Sequence, residues 1–225
     1  MKAVMKSVSP QICEKITSGN CTLLVSKTAP KCDAPFKGYI YCTKAKSQWR
    51  YSDYEGAYQN SEGDIVYAQR RVIGEFICDE IIEWQYDKGH QYYVGYPDDC
   101  TSYFPYLMRH SEATGLRCSE IEKFGKGKTL YGWNLSDLKI YDTPKTLGEF
   151  YKCGAGTIEE LFDVDGLCQY CSETDYGEHS CSSSPNGMIC CEGRWCDEAY
   201  EAYLEENFAI TRAPKSYMYV TELDK

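Results

Sequence analysis

Six cysteines between Cys168 and Cys196 form the densest set of chemically competent side chains in this 225-residue sequence. Cys168 and Cys171 have two residues between them, a spacing that lets two thiolates on a tight turn take one metal ion from the same side. Cys191 and Cys196, within the run Cys-Cys-Glu-Gly-Arg-Trp-Cys, supply a second pair, and Gly193 permits the turn between them. Cys190 can stand in for Cys191, and Cys181 or His179 for either. The chemistry expected is a structural zinc site with Cys168, Cys171, Cys191 and Cys196 as ligands. Four protein ligands leave no open coordination position, so no zinc catalysis is expected. Residues 172–186 are polar and rich in Ser, and have too few apolar side chains to order themselves. A bound ion supplies on the order of 10 kcal/mol to such a module.

The other eight cysteines, Cys13, Cys21, Cys32, Cys42, Cys78, Cys100, Cys118 and Cys153, are scattered singly. The opening Met1-Lys2-Ala3-Val4-Met5-Lys6-Ser7 reads as a strand, with no apolar stretch of signal-peptide length. A cytoplasmic protein is therefore expected, its scattered thiols acting as small core hydrophobes rather than disulfides. The longest apolar runs are too short to cross a bilayer, so no membrane partner is expected.

Charge is distributed unevenly. The net charge of -10 resolves into +7 over residues 1–50, -6 over 51–154 and -11 over 155–225. The basic first segment offers Lys27, Lys31, Lys37, Lys44 and Lys46 as phosphate contacts. Trp49, Tyr51 or Trp133 could stack on bases, although Gly132-Trp133 lies in an apolar stretch that suits core packing. The same lysines would serve equally as a solvated surface.

These residues need elements to position them. Alternation predicts a strand over 3–8, and Pro10 opens a short helix through Ile16, closed by Gly19. Further strands are predicted over 21–27, 37–43, 71–84, 130–141 and 215–223, with Gly74 marking a bulge or close approach. Short helices are predicted over 101–110, over 119–124 with a Ser119-x-x-Glu122 start, and over 197–207. Residues 45–66 read as a polar loop. The fold class expected is α+β: a small mixed β-barrel over 1–154, an acidic cysteine-rich insertion over 155–210, and a final strand over 211–225 that returns to the barrel.

Several segments carry a resemblance. The first strand and helix ending at Gly19, Lys27-Thr28-Ala29-Pro30-Lys31, Tyr39-Ile40-Tyr41-Cys42-Thr43, Val72-Ile73-Gly74-Glu75-Phe76, the stretch from Tyr131 to Tyr141 and Arg212-Ala213-Pro214-Lys215-Ser216-Tyr217 resemble the ASCH-domain proteins common in bacteriophages and prophages. These belong to the PUA-like β-barrel superfamily. The resemblance covers most of residues 1–150 and the last strand, and the insertion resembles one that some phage members carry. It implies RNA or nucleotide binding, or amide hydrolysis of an acetylated cytidine nucleoside, in a cleft near the first helix and the strand after it.

The family pattern there is Gly-x-Lys, then an acidic or Thr residue, then Arg. This chain keeps Gly19 but has Cys21, Leu24 and Ser26 at the three polar positions. Amidohydrolase chemistry loses its titratable groups. Cys21 is the one nucleophile candidate placed by the cleft, yet it has no evident base, since His90, His110 and His179 fall in loops or surface helices. No P-loop, Gly-x-Gly-x-x-Gly or His-Glu-x-x-His is present. A non-catalytic RNA- or nucleotide-binding protein is expected. The alternative is a phage-encoded module that binds a host protein through its acidic zinc arm.

Overall fold

The computed structural model describes residues 3–46, 54–89, 92–95, 112–153 and 208–222. By contact the chain divides into one unit of residues 1–147 and 212–220 and another of 148–211 and 221–225. The first unit is mixed and sheet-dominated, with few helices.

Strand β1 (Ala3–Val8) is an interior strand, pairing in parallel with β3 (Phe36–Cys42) and antiparallel with the final strand β12 (Tyr217–Glu222). Beyond β3 come β6 (Arg71–Cys78) and β10 (Ser136–Lys145), giving the order β10-β6-β3-β1-β12. A second sheet runs β2-β9-β7-β8, from β2 (Leu23–Ser26), β7 (Ile81–Asp87), β8 (Tyr92–Gly95) and β9 (Leu130–Asn134). Among the described residues these pairings leave two sheets rather than one closed ring.

The region 71–84, predicted as one strand, is two, because the chain changes sheet at Asp79 and Glu80. The region 130–141 divides at Leu135 in the same way. Asp79 holds the crossing: its carboxylate accepts from Asn134 Nδ2 at 2.8 Å and from Ser136 Oγ at 2.7 Å. Those two bonds, Ser136 first, hold its carboxyl below the usual range. The loop predicted over 45–66 contains a short hairpin, β4 (Tyr58–Gln59) and β5 (Ile65–Val66).

Helix α1 (Pro10–Thr17) starts with Pro at its first position, where the missing N–H has no intrahelical acceptor to lose. It ends at Gly19, whose φ of 75° falls in the region that favours glycine. Helix α2 (Cys118–Gly125) starts earlier than predicted. The Glu120 carboxylate, not Glu122, accepts from the Arg117 N–H at 2.8 Å, so Ser119 lies inside the helix rather than at its cap. Gly74 is the predicted close approach: a Cβ there would collide with the Lys139 carbonyl oxygen, and the β3–β6 register shifts beside it. The helices predicted over 101–110 and 197–207 lie outside the described residues.

Alternation sets which side chains enter the core. Val4 and Val8 of β1, Ile40 of β3, Phe76 of β6, Leu24 of β2, Trp133 of β9 and Ile16 of α1 form one cluster. Leu23, Ile82, Trp84, Tyr93 and Leu130 form another with Ile121 of α2. Cys13, Cys21, Cys42 and Cys78 are buried thiols. Burial, then a hydrogen bond with Cys42, pushes the Cys13 thiol well up. In the second unit, Phe150 and Tyr151 of β11 (Phe150–Lys152) are buried, and Tyr151 bridges Ala209.

Candidate nucleic-acid interface

The loop between β2 and β3 is fixed in place by the start of β12. Thr28 Oγ1 lies 2.9 Å from Ser216 Oγ. The Tyr217 hydroxyl donates to the Ala29 carbonyl at 2.9 Å, and the Lys31 N–H donates to the Tyr219 hydroxyl at 2.6 Å. Contacts from Ser216, Tyr217 and Tyr219 hold a short basic loop that has no secondary structure of its own. Lys27 and Lys31 are exposed on it. Lys27 Nζ stands 4.7 Å from the ring centroid of Phe124, a large aromatic that is 41% exposed at the end of α2. Lys123, Lys126 and Lys128 flank Phe124 in sequence, and all three are exposed.

The predicted basic set is not one patch. Lys44 and Lys46 are exposed beyond the far end of β3, a strand of seven residues, so roughly 20 Å of strand separates them from the Lys31 loop. Lys37 turns to the other face of the sheet and pairs with Glu75 at 3.1 Å. Burial alone would lower the lysine and raise the carboxyl. The bonds from Tyr39 and Glu75 outweigh it for Lys37, and those from Tyr141 and Lys37 outweigh it for Glu75, so each group is held in its charged form. Trp49 lies outside the described residues, as do Tyr51, the three histidines, and Cys168, Cys171, Cys191 and Cys196. Trp133 is fully buried, edge-on to Phe36 with ring centroids 5.7 Å apart, and offers no face for a base.

The positions that the resemblance places at a cleft carry little reactivity. Gly19 ends α1 and Leu24 is in the core. Cys21 is buried, and burial pushes its thiol up to about 11, which keeps it protonated and inert near neutrality. Ser26 is 1% exposed, and its hydroxyl donates to the Thr28 carbonyl at 2.7 Å while accepting the Thr28 N–H at 3.2 Å. Its Oγ also accepts from Lys6 Nζ at 2.6 Å. The arrangement resembles a serine beside a lysine base, but the serine proton is committed to a carbonyl, so it is not poised for transfer to the amine.

Lys6 is the residue that sequence reasoning missed. It was countable only as one more surface lysine, yet it lies on the Val4 and Val8 face of β1 and is 5% exposed. The available signal was its place on the same face as Val4 and Val8 in a strand read as alternating. Burial lowers its ammonium to about 8. Its neighbours are Ser26 Oγ, Ser216 Oγ at 3.0 Å and the Trp133 ring, 4.9 Å from centroid to Nζ. Phe124 was also missed, because a single aromatic at a helix end carries no periodic signal.

No family model matches the chain, and no curated protein matches it. Among the described residues no helix is long and apolar enough to cross a membrane. Among solved structures the chain is similar to the ASCH protein from Zymomonas mobilis, with a TM-score of 0.41 and 15% identity over 64% of this chain and 73% of that one. It is similar also to a mutant form of the Zymomonas mobilis protein, with a TM-score of 0.42 and 15% identity over 65% and 77% of the two chains.

Proposed function

We propose that this protein binds RNA or a nucleotide without catalysing its turnover, on the face that carries the β2–β3 loop and the end of α2. The observation that carries the reading is Lys27 over Phe124: a cation and an exposed aromatic ring together in one place. That pair suits a single-stranded nucleic acid, with the ring stacking on a base while lysines meet phosphates. The contacts from Ser216, Tyr217 and Tyr219 support it by fixing the loop before any ligand arrives, which lowers the ordering cost of binding. The inert Cys21 and the committed Ser26 hydroxyl favour binding over chemistry.

The resemblance to phage and prophage ASCH-domain proteins supports the same reading, with a PUA-like sheet fold as the scaffold and the host cytoplasm as its setting. A structural zinc in the 155–210 segment belongs to the proposal and rests on the cysteine spacing. The -11 charge of residues 155–225 supports a second role for that segment, engagement of a host protein, because such a charge repels nucleic acid.

The test is fluorescence anisotropy with a labelled single-stranded RNA oligomer over a salt series. Binding should weaken with salt, and a Lys27→Glu, Lys31→Glu double variant should flatten that dependence. Absence of binding at low salt, together with capture of a host protein that depends on residues 155–210, would replace this reading with the second.

A further inference from the structure

Lys44 and Lys46 have further cations beside them. Cys42 at the end of β3 pairs with Arg71 at the start of β6, and its carbonyl accepts the Arg70 N–H at 2.8 Å. The chain beyond β3 therefore runs past Arg70 and Arg71, and all four basic side chains are exposed. Gln69 fastens the arrangement. Its Oε1 accepts the N–H of Ala45, the residue between the two lysines, at 2.9 Å, and its Nε2 donates to the Glu55 carbonyl at 3.1 Å.

That second bond brings up an aromatic pair. Tyr54, next to Glu55, is 51% exposed, and Tyr67, two residues before Gln69, is 52% exposed. Their rings meet edge to face with centroids 5.4 Å apart, so each steadies the other while about half of each residue stays in water. Two nearby carboxylates are turned to α1: Glu55 Oε2 accepts from Gln11 Nε2 at 2.9 Å, and Glu14 Oε1 accepts the Gly56 N–H at 2.7 Å. Glu62 and Asp64 lie at the hairpin turn, with β5 between them and Tyr67. Arg70 has a φ of 62°, in the region that favours glycine, so a long cation is kept there against the preference of the backbone.

We propose that Lys44, Lys46, Arg70 and Arg71, with the Tyr54–Tyr67 pair, form a second subsite for single-stranded RNA, at the end of β3 remote from the Lys31 loop. The inference rests on the reading that this protein binds RNA, and it extends that reading to a separate surface. Base and backbone are met together here: exposed ring faces stack on bases while the cations take phosphates, and an arginine adds planar contact to either. A partner that offered carboxylates alone would use the cations and leave the ring faces bare. Roughly 20 Å of strand separates this surface from the Lys31 loop. At a stacked rise of about 3.4 Å, an RNA needs about six nucleotides to cover that distance, so the ligand is a strand and not a mononucleotide.

The test is anisotropy of a labelled oligouridylate of about sixteen nucleotides with the full chain, over a salt series. Arg70→Gly removes one cation and suits the local backbone, so the variant folds. It should bind several-fold more weakly, with a salt slope lower by about one. A Tyr54→Ala, Tyr67→Ala double variant should bind about tenfold more weakly with the slope unchanged. An oligomer of about four nucleotides, which meets one surface only, should bind wild type at least about tenfold more weakly than the longer strand. Loss of affinity in Phe124→Ala, with wild-type affinity and slope in both new variants, overturns this subsite and leaves the Phe124 face standing. Loss in the new variants with none in Phe124→Ala keeps the subsite and removes that face. No binding by wild type at low salt overturns both. Displacement by polyglutamate as effective as that by unlabelled oligouridylate would reduce the surface to a polyanion contact and overturn the proposal.

Discussion

Lys6 of β1 reaches across the interior and donates to Ser26 Oγ of β2 at 2.6 Å, joining one sheet to the other through a buried cation. Ser26 is itself uncharged, and the positive charge beside it comes from another strand.

Lys6 makes stability depend on pH in a defined direction. Its pKa is about 8 in the folded chain against 10.5 in the unfolded one. Between these values the unfolded state binds the extra proton, so the contribution of Lys6 to stability rises with pH, by roughly 3 kcal/mol at most. The groups facing it, Ser26 on β2, Ser216 before β12 and Trp133 on β9, do not titrate in that window. Cys21, Cys78 and Tyr217 have pKa values raised by burial and act in the opposite direction at alkaline pH. They are common to wild type and Lys6→Met. Urea unfolding of both proteins from pH 7 to 11 should show wild type gaining on the variant as pH rises.

Asp79 gives the opposite dependence. Hydrogen bonds from Ser136 and Asn134 depress its carboxyl, so its contribution is present above the unfolded value and lost as pH falls through the folded one. Asp79→Ala should melt below wild type at neutral pH, and the two melts should converge in acid.

Gly38 and Gly74 admit no side chain. A Cβ at Gly38 would collide with the Phe76 ring, and one at Gly74 with the Lys139 carbonyl oxygen. Gly74→Ala should cost about 2 kcal/mol or more in urea unfolding, because backbone must move. Phe76→Leu should partly rescue Gly38→Ala and leave Gly74→Ala unchanged.

The zinc proposal predicts about one zinc per chain by elemental analysis. Chelator should lower the melt, and Cys168→Ser should abolish the metal content. Protein that melts identically with and without chelator and contains no zinc would contradict it.

The order of elements was largely legible in the sequence. Ala3–Val8 is a strand within its predicted bounds, although it is buried at five of its six positions rather than on one alternating face. The sheet changes at Asp79 and Leu135 were not legible, since β6 into β7 is apolar enough to read as one strand and only the partner strand reveals the break. The candidate site was legible in part. Lys27 and Lys31 lie on the fixed loop, whereas Lys37 is taken up by Glu75, a partner 38 positions away in sequence on a neighbouring strand. Lys6 was hidden for a similar reason: strand period assigns it a face, but only packing makes that face the interior.

RNA binding by the Phe124 face is tested most directly by anisotropy of a labelled single-stranded RNA with wild type and Phe124→Ala. The account predicts salt-dependent binding by wild type and about tenfold weaker binding by Phe124→Ala with an unchanged salt slope, because stacking is lost and phosphate contacts are kept. Equal affinity of the two proteins, or no binding at low salt by wild type, would contradict it.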